Sequence, residues 1–156
     1  MKWFTHQSIA VMAAIAMGSS LAGVLSAWAG SIAPDVLDQR KAQKAFFRRR
    51  AFNKIHRGSS HWFGWWMLGW AFAKAGLLGP LSDELLSWFA AGALSHVVLD
   101  MCTTRGVPLI PWTGRRFSLR ICSTGGIGEY AFLATAAALF WLAEKNALSG
   151  AFLPLL

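Results

Sequence analysis

Three of the four histidines in this chain pair with an acid or with each other at the spacing of metal ligands, beside apolar runs. His96-Val-Val-Leu-Asp100 closes one run, and His56-Arg-Gly-Ser-Ser-His61 opens another. The fourth histidine, His6, follows Thr5 at the start of a third run, which ends in Pro34-Asp35-Val-Leu-Asp38. On a helix His96 and Asp100 share one face, and an imidazole nitrogen beside a carboxylate oxygen is half of a zinc, manganese or iron site. A hydrogen bond within the helix is the plain alternative. The apolar setting favours a site, because an unliganded carboxylate there is expensive.

Asp35 and Asp38 read as acids where the chain leaves its first apolar run, at a helix C-terminus. The helix dipole opposes acids there, so a cation should compensate. Gly58 permits a tight turn that brings His56 and His61 toward one point. Arg57 either sets topology or holds a phosphate or carboxylate through a bidentate contact. Glu129, after a glycine-rich stretch, either caps the last helix or joins the ligands.

These residues need helices in a membrane to position them. The chain of 156 residues is 55% hydrophobic and 13% aromatic, with a mean hydropathy of +0.42, an apolar excess over soluble domains. Residues Gln7–Pro34 carry no charge, Trp62–Ser82 carry only Lys74, and Leu85–Val98 and Ala131–Ala143 are uncharged. A spanning helix takes about 20 apolar residues; the second run suffices, while the third and fourth lean on their flanks. Gly18-Ser19-Ser20 interrupts the first, so Gln7–Pro34 either spans once or turns back as two half-length helices. Gln39–Ile55, basic with interleaved Phe46, Phe47 and Phe52, reads as an amphipathic interfacial helix. Ser59-Ser60 is a candidate cap for a helix from about His61, on which Trp62, Trp65, Trp66 and Trp70 form an aromatic interface anchor. Gly79-Pro80 stops that helix and Ser82-Asp83-Glu84 caps the next. Gly106–Gly128 is a structured loop with β-prone Phe117–Ile121; a helix resumes at Ile127, and Ala147–Leu156 is a weak tail.

The net charge of +8 is uneven. Arg40, Lys41, Lys44, Arg48, Arg49, Arg50, Lys54 and Arg57 fill one connection; Arg105, Arg115, Arg116 and Arg120 fill another. Positive-inside bias puts both in the cytoplasm and the Pro80–Asp83 turn outside. Topogenic charge that attracts anionic lipid accounts for Arg48–Arg50 better than a nucleic-acid face. The N-terminus imitates a signal peptide, with Ala27-Trp28-Ala29 before Gly30, but the apolar run is long for one and is read as retained. Cys102 and Cys122, in a cytoplasmic loop without Cys-x-x-Cys spacing, read as ordinary thiols.

Together, Thr5-His6, Pro34-Asp35 with Asp38, His56-Arg57-Gly58 with His61, and Ser95-His96 with Asp100 resemble the motifs of one family. Gly106-Val107-Pro108-Leu109, Arg116-Phe117 and Glu129 extend the likeness over about residues 5–130. The family is the LexA-regulated, membrane-bound, predicted metal-dependent hydrolases of bacterial inner membranes. In it the N-terminal histidine and the Pro-Asp motif begin and end a helix pair, so the resemblance implies the hairpin. The His and Asp spacing is more loosely similar to the zinc-dependent phospholipase C and P1-nuclease group. Those enzymes use a free N-terminal residue as a ligand, where this chain has His6.

The expectation is an all-α membrane protein: one domain over 1–156, a compact helical bundle with an N-terminal helical hairpin and a short irregular or β-hairpin loop near 106–126. A basic interfacial segment covers 38–57 and a cytoplasmic loop 102–126. Its expected chemistry is hydrolysis at the cytoplasmic face of a multi-pass inner-membrane protein. Divalent metal, zinc first, is held by His6, Asp35, His56, His61, His96, Asp100 and Glu129. Metal-activated water attacks an anionic substrate such as a lipid phosphoester, Asp38 or Glu129 is the general base, and Arg57 meets the anion. The competing expectation is a non-catalytic membrane protein whose same residues bind a structural metal or make polar helix contacts, with a partner docking on residues 40–57.

Overall fold

The structure, a computed structural model, describes residues 1–111 and 115–152. Helix α1 (Trp3–Ala16) ends where Gly18 takes φ +70°, a left-handed value that costs glycine little. The Ser19 N–H bonds to the Ala14 carbonyl and the Gly18 N–H to that of Ile15, closing a Schellman turn. Ser20 then starts α2 (Leu21–Gly30), its hydroxyl accepting from the Gly23 N–H at 3.1 Å. At ~1.5 Å per residue these helices are about 21 and 15 Å long. The first apolar run is therefore a hairpin of half-length helices.

Helix α3 (Ala33–Gln43) carries Pro34 and Asp35 in its first turn. This corrects the expectation that the acids end a helix: proline suits a first turn, and an N-terminal acid is favoured by the dipole. The amphipathic helix expected over Gln39–Ile55 is two, broken at 44–47, with α4 covering Arg48–Ile55. A 3-10 turn (Ser59–His61) leads to α5 (Phe63–Lys74), and no side chain caps either. Ser60 does not cap because its hydroxyl is engaged elsewhere. Helix α6 (Pro80–Met101) has Pro80 in its first turn, and strands β1 (Val107–Pro108) and β2 (Arg116–Phe117) pair antiparallel. Strand character is thus confined to the start of the expected Phe117–Ile121 segment. Helix α7 (Ile127–Phe152) runs through much of the expected tail; residues 153–156 of that tail, and 112–114 of the loop, lie outside the described residues.

Helix α2 packs along α6 at backbone distance. A Cβ on Gly30 would strike the Phe89 carbonyl, and one on Gly92 the Ala27 carbonyl, the small-residue packing common between membrane helices. Helix α5 packs on the same α6, and α1 packs against α7. The interior these helices enclose is polar: His6, His61, His96 and Glu129 are the bulkiest fully buried side chains. Apolar groups face outward instead, with Leu21 77%, Met17 74% and Leu68 62% exposed. An outward apolar surface around a polar centre fits a lipid environment, because exposed patches of this kind mark contact surfaces. Among the described residues one helical stretch, Ile127–Lys145, is long and apolar enough to cross a bilayer, while Leu21–Gly30 is apolar but short.

Candidate metal centre

His96 and Asp100, one turn apart on α6, point into the polar interior. The His96 ring stacks on His6 of α1 with centroids 3.7 Å apart. The 3-10 turn delivers His61, whose Nε2 lies 3.2 Å from His96 Nε2. Asp35 enters from α3, with Oδ1 at 3.3 Å from His61 Nε2 and 3.6 Å from His96 Nε2. Asp100 Oδ2 lies 3.7 Å from both imidazole nitrogens. Zinc bonds of about 2.0–2.1 Å arranged tetrahedrally put ligand atoms about 3.3–3.4 Å apart. Asp35 Oδ1 and Asp100 Oδ2 thus each lie near such an edge length from the two facing imidazole nitrogens.

Two further histidines flank this set. His6 Nε2 is 3.5 Å from Asp100 Oδ1, and His56 Nδ1 is 3.4 Å from Asp35 Oδ1. His6, His96 and Asp100 form one group able to hold a metal ion; Asp35, His56 and His61 form another. Both His6 ring nitrogens, Asp35 Oδ1 and His56 Nδ1 are buried without a hydrogen-bond partner among the described residues. Buried polar atoms are ordinarily paired; a cation among them would satisfy these, so the residues present fit a divalent metal.

The surroundings orient the ligand atoms. His96 Nδ1 meets the Ser31 carbonyl at the end of α2, so Nδ1 carries the proton and Nε2 offers its lone pair inward. His61 Nδ1 lies 3.1 Å from Ser60 Oγ and 3.4 Å from Asp38 Oδ2, which turns its Nε2 inward likewise. Carboxylate–histidine pairs and carbonyl contacts of this kind fix metal-binding imidazoles. Trp3 Nε1 donates to Asp35 Oδ2 at 2.6 Å, leaving Oδ1 toward the histidines.

Asp38 and Glu129 stand differently. Asp38 accepts from the Ser60 hydroxyl and the Arg57 N–H. Glu129 accepts from the Lys2 N–H, the Thr5 hydroxyl and the Gly125 N–H, and lies outside both ligand groups. Proton acceptance by either competes with these bonds. Arg57 is buried, donating to Thr103 Oγ1 at 2.6 Å and Asp100 Oδ1 at 2.7 Å. Asp100 Oδ1 also meets the Met1 amino group at 2.7 Å. The tight turn expected of Gly58 belongs to Arg57, which takes φ +59°. Gly58 serves instead by closeness, since a Cβ there would lie 2.7 Å from the Ile55 carbonyl oxygen.

The electrostatics favour charged acids. Burial pushes the Asp35 carboxyl up, but the neighbouring imidazoles of His61, His96 and His56 outweigh it, holding it at about 2. Burial likewise acts against Asp38, and the nearby His56 and His61 imidazoles together with the Ser60 hydroxyl hold it well below the carboxylate range. For His61, burial is overcome by Asp35 and Asp38, which raise its pKa; a bound cation would displace the proton so attracted. Burial lowers Arg57, Asp100 and Asp35 oppose that, and the nearby charges of Arg105 and Arg116 lower it further.

Ser31, Ser60, Trp3 and Thr103 escaped sequence reasoning as contributors. Only Ser60 carried a signal, its place in the His-Arg-Gly-Ser-Ser-His motif.

Fold and site together define a helical membrane protein with a buried His/Asp cluster able to bind metal. A family model described as YdjM inner membrane protein matches residues 1–156, and the chain belongs to that family. No curated protein and no solved structure matches the chain.

Proposed function

We propose that this protein is a metal-dependent hydrolase of the inner membrane, acting on a phosphoester at the cytoplasmic face. The observation that carries the reading is the convergence of Asp35 and Asp100 on the facing His61 and His96 nitrogens, at separations of 3.3–3.7 Å. These four would hold one cation, zinc by donor chemistry. His6 beside Asp100 Oδ1 and His56 beside Asp35 extend the set toward a second. Bound metal would bring the pKa of water toward neutrality and polarise a phosphoryl oxygen. Asp38 acts as a positioning residue through His61, and Arg57 ties Asp100 in place while lining the approach to His56.

The outward apolar faces of α1, α2, α5 and α7 support a multi-pass arrangement in which the α1–α2 hairpin dips in and returns. Charge bias supports a cytoplasmic site, since Arg57, Arg105 and Arg116 of the two basic connections line one space beside the cluster.

Metal content per chain, followed by hydrolysis assays on a panel of phosphomonoesters and phosphodiesters, tests the proposal. One equivalent or more of zinc with turnover is expected. Protein that binds zinc but cleaves nothing favours the second reading, a structural metal in a non-catalytic protein. The sealed placement of His6, His61 and His96, each fully buried, supports that alternative, because a catalytic site keeps one coordination position open.

A further inference from the structure

Beside the cluster lies a cavity of about 380 Å³ lined by Asn53, His56, Arg57, Arg105 and Arg116, within the size range of small-ligand sites. Its position follows from the chain's path. Arg105 comes just past the end of α6. Gly106, at φ +62°, turns the chain into β1, and the pairing of Pro108 with Arg116 brings β2 back alongside. Three guanidinium groups from separate segments thus face one space, and no acidic side chain lines it.

Such convergence of like charge is unfavourable unless something answers it. Arg57 already has Asp100 as its partner, and its Nε remains buried and unpaired. Arg105 and Arg116 are exposed, and neither has an ion pair among the described residues. The wall shared with the metal cluster is His56, whose Nδ1 is buried without a hydrogen-bond partner. Guanidinium forks match phosphate oxygens in pairs.

We propose that this cavity is a phosphate-recognition pocket, in which Arg105 and Arg116, with Asn53, hold the phosphate group of the ligand next to His56. Its place in catalysis rests on the hydrolase reading above; its binding of phosphate does not. The same chemistry serves a soluble phosphate compound or a phospholipid headgroup.

The test uses full-length protein in detergent, stripped of metal by a chelator so that no phosphate binds through a cation. Calorimetric titration with inorganic phosphate, and with phosphatidic acid in mixed micelles, reads the affinity. Wild type should bind at least one probe saturably. Arg105→Gln/Arg116→Gln should weaken that binding tenfold or more, while Arg40→Gln/Arg48→Gln, with the same loss of charge, should leave it within twofold. Should the first pair fail to fold, as judged by thermal melting, the single variants Arg105→Gln and Arg116→Gln carry the comparison. Arginine-dependent binding of phosphatidic acid alone assigns the headgroup; binding of both probes assigns a soluble phosphate compound.

Absence of saturable binding, or equal loss in the Arg40/Arg48 pair, overturns the pocket. Phosphate binding that survives in a protein found to hold no metal and to cleave nothing would uphold the pocket and reject the hydrolase. Metal-dependent cleavage with arginine-independent phosphate binding would do the reverse.

Discussion

At the scale of single residues, the cluster depends on atoms left without partners and on neighbours that aim them. His96→Ala and Asp100→Ala should each lose bound metal while the protein still inserts in the membrane; metal per chain checks this, and unchanged stoichiometry in both would remove them as ligands. Asp38 makes a sharper case. Its oxygens face His61 Nδ1 rather than Nε2, so Asp38→Asn should leave helix content unchanged and weaken metal binding about 10–100-fold, as loss of such orienting groups does. A metal affinity equal to wild type would show that His61 is aimed by Ser60 alone. Acid should act first through His61, whose pKa, despite burial, Asp35 and Asp38 raise above the ordinary imidazole value of about 6.5. Protons compete there with the cation, so metal should be held above neutrality and lost as the pH falls through it, which dialysis at graded pH would read.

At the scale of elements, two devices bring distant ligands together. The Schellman turn at Gly18 folds the first apolar run back, so α1 delivers His6 while α2 ends at Ser31, and both touch His96. A continuous helix over residues 7–34 would be about 42 Å long at 1.5 Å per residue and would separate them. The second device is the close seat of α2 on α6. Gly92→Leu would force a side chain against the Ala27 carbonyl, and overpacking of this kind costs about 1–3 kcal/mol. The expected result is a lower melting temperature together with weakened metal binding, because Ser31 sits at the end of the helix that is pushed away. A variant that melts as wild type would mean that the two helices separate without cost.

For the whole molecule, the inside is polar and the outside apolar, and the two basic connections line one space beside the cluster. In a background with Cys102→Ser, a cysteine at Arg40 should be labelled by an impermeant thiol reagent only after the membrane is opened, whereas Ser82→Cys should react in intact spheroplasts. The native Cys122 is buried and should stay silent. The opposite labelling pattern would place the cluster on the periplasmic side.

Side-chain type and spacing are local properties, which is why the sequence by itself determined the helical class, the basic segments and the identities of the six residues that cluster. His6, Asp35, His56, His61, His96 and Asp100 were each marked by motif, and the hairpin followed from the resemblance those motifs carry. What each atom touches is not local. The Ser31 carbonyl meets an imidazole 65 residues away, and Arg57 finds Asp100 across 43. Only the tertiary structure decided that Pro34 opens a helix rather than closing one, that Asp38 faces His61, and that Glu129 ties the N-terminal segment to α7. It alone set Arg105 and Arg116 around one cavity. Contacts between distant segments depend on how helices seat against one another, and that seating turns on backbone clearances at Gly30 and Gly92 that no periodicity records.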